Sequence, residues 1–333
     1  MAVSATSHPT MVDYVNRLDR DGKIADIIEI IRQENQLADV IPWIECNDGD
    51  GHRTTMRTGL PTPTWRQLYG GVQPTKSETR QVRDTTGIMH AYAEVDVDLV
   101  EANQNSADWL LSENSAFVAG MNEEFMQTFF YGDEATEQEA FTGLSARYSS
   151  TTAENKNNVI KDLTGTPDTS LWVLGFGPQA LHGVYPKGYT MGLKETYKGI
   201  DTIEDADGSG GRMEAHRTHY RWACGASLRD WRTCGRIQVD FADLTKNAAS
   251  GANLYDLMSK MLTRTRRGMV TNKVIVCNEG VMEFLRLQAK YGTQNSTLSR
   301  TELAGREVES INGYPVLLCD ALRYDENTTA PIV

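Results

Sequence analysis

Cysteine is sparse in this 333-residue chain and shows no pairing pattern. Cys46, Cys224, Cys234, Cys277 and Cys319 are odd in number, widely separated and include no CxxC pair. That excludes a disulfide framework and a zinc ribbon and leaves reduced, mostly buried thiols. Long apolar runs are missing too. No stretch approaches the roughly 20 residues that a bilayer-spanning helix needs, so no membrane partner is expected. The opening MAVSATSHPTMVDYV has no basic segment followed by an apolar one, so no secretory leader is expected and the cytoplasm is the expected site of synthesis. Basic side chains are outnumbered, 33 against 45 acidic ones, for a net charge of −12. A module built to grip a nucleic-acid polyanion would carry the opposite balance.

Signatures of chemistry are equally thin. There is no G-x-S-x-G elbow, and no cysteine stands beside a histidine in a way that singles out a catalytic pair. The one fingerprint is GFGPQA at 175–180, which matches G-x-G-x-x-A behind an apolar strand and has Glu195 downstream. It carries the alternative reading, a nucleotide-dependent oxidoreductase using Gly175 and Gly177. Its context argues against that: Pro178 removes an amide, and Gly183 and Pro186 break the segment before a phosphate-binding helix could form. His216 and His219 are spaced H-x-x-H, but positions three apart on an extended segment face opposite sides. Asp201, Asp205 and Asp207 before Gly208 resemble a calcium loop without its glutamate at the twelfth position, and read as a solvated loop. Lys260, Arg264, Arg266 and Arg267 could meet phosphates or carboxylates, or could complement a helix C-terminus. No catalytic residue, cofactor or metal is expected.

What is present is a core and two charged segments of opposite sign. Hydrophobic residues make up 40% of the chain, enough for one large domain or, as expected here, two subdomains. Ile24, Ile27, Ile28 and Ile31 recur at helical spacing and predict a short helix over 24–37, ended by Pro42. Over 48–90 the composition shifts to six glycines, three prolines, many threonines and few large apolar residues. Such a segment cannot build its own core; it predicts a long two-stranded excursion, marginal alone in water and ordered by lying on something else. Between Gly51 and Arg83, six basic residues (Arg53, Arg57, Arg66, Lys76, Arg80 and Arg83) oppose Glu78 alone, a local charge of +5.

The next stretch, 94–139, reverses the sign with twelve acids and no lysine or arginine. There Leu110, Phe117, Met121, Phe125 and Phe129 recur at spacings of four or seven and predict a long helix over 101–131, with Gly132 as a left-handed stop. Glu101, Asp108, Glu113, Glu123 and Glu124 occupy its polar positions. That acidic face reads either as a solvated surface or as the landing place for the basic arm of a neighbouring copy. Further on, the sequence predicts an apolar strand at 170–176, a pair of strands within 216–239, and a helix over 253–267 stopped by Gly268. A strand at 273–277, a helix over 279–291 and a final hairpin follow, with Asn312 and Gly313 supplying a type I′ turn. The class is mixed α+β.

Several segments, taken together, carry a resemblance: PWIECN at 42–47, LPTPTWRQLYGGV at 60–72, MNEEFMQTFFYGDE at 121–134 and FTGLSARY at 141–148. With SLWVLGFG from Ser170, HGVYPKG from His182 and NGYPV from Asn312, they resemble, in order over nearly the whole chain, the major capsid proteins of short-tailed phages. The relatives are epsilon-fifteen-like podovirus coats with the Hong Kong 97-like capsid fold. The resemblance implies an N-terminal arm and short helix over 1–47 and an extended loop over 48–92. It implies a peripheral domain with a long spine helix over 93–140, a mainly axial domain over 141–303, and a C-terminal hairpin over 304–333 returning to the periphery. It also implies a late structural protein, not an enzyme, that assembles with itself as hexamers and pentamers of an icosahedral virion shell in the host bacterial cytoplasm. Packaged double-stranded DNA would be touched weakly and nonspecifically, and a scaffold, a portal and a cement or decoration protein would be further partners. The long N-terminal scaffolding segment of some relatives is missing and no motif assigns a lysine-to-asparagine crosslink, so noncovalent locking is expected. The sign contrast then nominates contacts between copies: Arg53, Arg57, Arg66, Arg80 and Arg83 of one against Glu101, Asp108, Glu113, Glu123 and Glu124 of another.

Overall fold

A computed structural model describes residues 35–49, 51–101, 106–162, 166–204, 210–245, 251–266, 268, 270–291, 298–303, 306–326 and 331–332. The helix predicted over 24–37 lies outside the described residues except for its last three positions, where Gln36–Asp39 form a short 3-10 turn. In chain order the strands are β1 (Trp43–Glu45), β2 (Gly51–Gly59), β3 (Glu78–Thr85), β4 (Gly87–Asp96), β5 (Val159–Asp162), β6 (Asp168–Phe176), β7 (Leu181–Tyr185), β8 (Lys194–Glu204), β9 (Arg212–Leu228), β10 (Gly235–Asp240), β11 (Asn272–Cys277), β12 (Leu298–Leu303), β13 (Arg306–Ile311) and β14 (Tyr314–Leu318). The helices are α1 (Val97–Glu101), α2 (Ser106–Tyr131), α3 (Leu144–Arg147), α4 (Leu254–Arg264) and α5 (Glu279–Tyr291).

β6 is apolar over most of its length because both its faces are covered. Trp172, Leu174 and Phe176 enter one core with Phe125, Phe129 and Phe130 of α2. Leu171 and Val173 enter the other with Leu254, Met258 and Met261 of α4 and Leu285 of α5. The period of two along a strand makes this division. β10 and β11 flank β6, both antiparallel to it. The sheet runs on through β14, β13 and β12 on one side and through β7, β9 and β4 on the other.

The 17-residue β9 would span about 56 Å at ~3.3 Å per residue. Its last residues pair with β7, while its earlier ones carry β4 on one edge and β8 on the other. This corrects the expectation of paired strands within 216–239: β9 pairs with β4, β7 and β8, whereas β10 pairs with β5 and β6.

Three termini behave as the residues dictate. α2 ends at Tyr131 as expected, but Gly132 has no positive φ. Close approach demands the glycine instead, since a Cβ there would sit 2.5 Å from the Phe141 carbonyl oxygen and 2.6 Å from that of Thr128. α4 stops at Arg264, short of Gly268, because Thr265 turns extended (ψ 131°) and its hydroxyl donates to the Met261 carbonyl at 3.0 Å. The last turn meets its expectation, with φ of 52° at Asn312 and 81° at Gly313.

Candidate assembly surfaces

β2 and β3 pair with each other antiparallel, from Gly51 opposite Thr85 to Gly59 opposite Glu78. Residues 60–77 join them, and every residue from Leu60 to Gln81 is exposed. Four large apolar side chains stand in water at the tip: Leu60 is 78% exposed, Trp65 102%, Leu68 86% and Tyr69 103%. Four such side chains within ten residues of chain mark a candidate interaction surface. The β2–β3 pairing closes at Gly51 opposite Thr85. From Gly87 the chain is already in β4, where Ala93 and Val95 are buried against β9 and α1.

The nominated contact residues divide. Arg57, Arg66 and Arg80 are exposed along the arm, and Arg83 is exposed near its root. Arg53 is committed to its own chain, with Nε 2.9 Å from Asp48 Oδ2. Glu101 and Glu124 are exposed and Glu123 is half-buried, all with no basic residue nearby in sequence. The side chains of Asp108 and Glu113 lie outside the described residues.

Sequence reasoning missed the arm's root. Asp84 of β3 is buried, and it accepts from Arg147 Nη1 at 2.8 Å and Ser227 Oγ at 2.7 Å. His52, opposite it on β2, bonds Arg229 and packs edge-on against His182 with ring centroids 5.8 Å apart. The root is thereby fastened to α3, β7 and the end of β9. Burial, then the Arg229 charge, then His52, lowers the pKa of His182 from 6.5 to about 4. Burial and Arg229 lower that of His52, with Asp84 opposing.

In the unfolded chain His182 returns to its ordinary pKa, so between about 4 and 6.5 the unfolded state binds more protons. His182 therefore contributes full stability above pH 6.5, and loses on the order of 3 kcal/mol as pH falls to about 4. Melting curves at pH 7 and 4.5 should show a large drop that shrinks in His182→Gln. An equal drop in both proteins would contradict this.

The family model of the major capsid protein GP7 matches residues 19–330. The chain belongs to this family of major capsid proteins. Its fold is similar to that of the bacteriophage Epsilon15 structure, at 30% identity with 100% of both chains covered and a TM-score of 0.78. The bacteriophage JBD30 capsid is similar over 89% of this chain and 93% of that one, at 8% identity and a TM-score of 0.48. The SrpI encapsulin complex of Synechococcus elongatus covers 65% and 93%, at 10% identity and 0.43. No curated protein matches. The capsid protein is a shell-forming structural subunit of a virion with an α+β, Hong Kong 97-like fold.

Several of the segments that carry the resemblance, though not the exposed 60–72, meet in one core. β1, from PWIECN, lies parallel to β7, from HGVYPKG. Trp43 packs on Phe125 at 5.5 Å, Phe125 on Phe141 at 6.0 Å, and Tyr148 edge-on to Trp172 at 5.9 Å. GFGPQA, by contrast, opens no helix in this capsid protein. Gly177 donates to the Leu181 carbonyl, Ala180 to that of Gly177, and the chain turns straight into β7. A helix N-terminus on which a pyrophosphate could sit is missing there, and the oxidoreductase alternative has no support.

His216 bonds Tyr197 through Nδ1 at 2.7 Å, whereas His219 meets His90 at 2.9 Å, so the two do not converge. Asp205, Asp207 and Gly208 lie outside the described residues. All five cysteines are free and buried, and burial raises Cys224, Cys277 and Cys319 to about 12.

Proposed function

We propose that the capsid protein builds hexamers and pentamers of an icosahedral shell by laying the arm of one copy, 48–92, across the acidic helix α2 of its neighbour. The observation that carries this is the unbroken exposure from Leu60 to Gln81, where Leu60, Trp65, Leu68 and Tyr69 are each at least 78% exposed while no large apolar residue described outside this segment exceeds 59%. In this reading 1–47 is the N-terminal arm, 93–140 the peripheral domain, 141–303 mainly the axial domain, and 304–333 the hairpin returning to the periphery. The chain performs no catalysis. It assembles in the bacterial cytoplasm around double-stranded DNA that it touches weakly, in keeping with its net charge of −12. A scaffold, a portal and a cement or decoration protein are its further partners.

Electrostatics sets the register. Arg57, Arg66, Arg80 and Arg83 of one copy face Glu101, Asp108, Glu113, Glu123 and Glu124 of the next. Each exposed pair contributes only about 0.2–1 kcal/mol, but the contacts repeat at every copy while apolar burial supplies most of the affinity. Such pairs are screened over about 8 Å at physiological ionic strength, so added salt should slow assembly followed by light scattering. Joint Arg57→Glu and Arg66→Glu reversal should slow it as well, and Glu123→Arg with Glu124→Arg should restore part of the rate. Assembly indifferent to salt and to both reversals would remove the electrostatic part of this account.

A further inference from the structure

In the angle between the arm and the body lies a polar cleft of about 510 Å³, within the roughly 300–1,000 Å³ range of clefts that take up small ligands. Thr54 and Arg57 of β2 and Arg80 of β3 line its arm side, and Arg229 and Arg232, from the turn after β9, line its body side. The charges in the cleft do not balance. Arg232 is held by Asp230, with Nε 2.7 Å from Oδ1 and Nη2 2.9 Å from Oδ2. The other three arginines have no carboxylate of their own among the described residues, and they share the cleft with one further acid, Glu154. Arg57 and Arg80 are exposed and make no ion pair or hydrogen bond among the described residues. Arg229 donates through Nη1 to the Pro178 carbonyl at 2.9 Å and bonds His52 through Nη2, but its Nε is buried without a partner. Thr54 Oγ1, also in the cleft, is buried without a partner as well. Buried donors left unmade are costly and point to an acceptor that completes them.

We infer that this cleft binds a compact phosphate-bearing anion, held by Arg57 and Arg80 from the arm and by Arg229 and the Thr54 hydroxyl at its root. The donors lie on two sides of the cleft, so the ligand has to accept from several directions at once. A phosphate group does this with oxygens arranged tetrahedrally and up to two charges, whereas a carboxylate offers two oxygens in one plane. Arginine forks suit such oxygens better than lysine ammonium groups would, and the cleft has arginines and no lysine. The phosphate chemistry is common to two sources, a free phosphate anion and the phosphodiester backbone of DNA. Gripped from both sides, the anion would tie the arm to the body. It would also occupy Arg57 and Arg80, which the arm reading above assigns to the neighbour's acids, and so hold the subunit back from assembly. That consequence rests on the arm reading; the binding site does not.

The test uses the unassembled full-length protein in calorimetric titrations at constant ionic strength. Inorganic pyrophosphate should bind saturably. Arg57→Gln with Arg80→Gln should weaken that binding by about 100-fold, roughly tenfold for each charged hydrogen bond lost, and leave the melting temperature near the parent's because both side chains are exposed. Thr54→Val should weaken it by a smaller factor. A short DNA duplex is titrated alongside: saturable binding of either probe that is lost in the double variant supports the site, and the tighter of the two names the source of the phosphate. Citrate binding as tightly as pyrophosphate would overturn the phosphate assignment, and no saturable binding of either phosphate probe would overturn the site. Pyrophosphate should also slow assembly followed by light scattering. If it binds but assembly is unaffected, the site stands and the role of Arg57 and Arg80 in register fails. If it does not bind while joint reversal of Arg57 and Arg66 still slows assembly, the register reading stands and the site is wrong.

Discussion

Deleting residues 61–71 should leave a soluble, folded subunit that no longer closes into shells. The fold is expected to survive because neither large core cluster draws on any residue from 48 to 85; both are assembled largely from α2, α4, α5 and the central sheet. What the deletion removes is Trp65, Leu68 and Tyr69, all exposed in the free subunit. Burying a large apolar side chain contributes about 1.5–3 kcal/mol. Losing three from one interface exceeds what the surrounding ion pairs supply, at about 0.2–1 kcal/mol each. The loss recurs at every copy of the contact, so a partly weakened lattice does not close. Size-exclusion chromatography and negative-stain microscopy would read the result, with an unchanged melting temperature as the control. Closed shells at the parent's yield would contradict the role given to the arm.

Glu326→Ala should destabilise the subunit by about 3–5 kcal/mol, the cost of leaving a buried charge without its partner. Glu326 and Arg236 are both fully buried, with Arg236 Nη2 2.8 Å from Glu326 Oε2. The carboxylate also accepts from the Tyr131 hydroxyl at 2.5 Å, from Ser170 and from Gln238 at 3.4 Å. The guanidinium in turn donates to Ser170 Oγ at 2.9 Å and to the Tyr148 carbonyl at 3.3 Å, and lies 5.4 Å from the Trp172 ring centroid. Tyr131 is the last residue of α2, so one carboxylate ties the end of the long helix, the centre of the sheet and the C-terminal segment together. Burial, then the Glu326 charge, raises the Tyr131 pKa well above its usual value, which keeps the phenol a donor.

A whole domain is stable by only about 5–15 kcal/mol, so the single substitution should lower the melting temperature steeply. Arg236→Met with Glu326→Leu should recover part of the loss, because an apolar pair leaves no buried charge. A Glu326→Ala subunit that melts with the parent would show that the network adds nothing.

Much of this fold is legible in the chain. The spacing of Met121, Phe125 and Phe129 gives the buried face of α2, and the apolar run at 170–176 reads as the strand β6. Asn312 and Gly313 give the final turn. What stays hidden depends on partners distant in sequence. β8 shows no apolar alternation because most of its side chains are exposed and backbone bonding to β9 holds it. β10 pairs with β6 rather than with the preceding strand β9, a choice made by tertiary packing. Arg236 and Glu326 read as surface charges, as such residues almost always are unless paired.

At the assembly surface the pattern is similar. The arm's glycines, prolines and threonines announce an excursion, but not that its chain passes into β4 at Gly87. The His52, Asp84, Arg147 and Arg229 network at its root joins four separate stretches of chain.

The measurement that bears most directly on the central claim is a cryo-EM map of particles assembled from the purified full-length protein. The account predicts a closed icosahedral shell in which each arm leaves its own subunit and lies along α2 of a neighbour. Particles without shell symmetry, or arms folded back onto their own subunits with the acidic face of α2 bare, would contradict it.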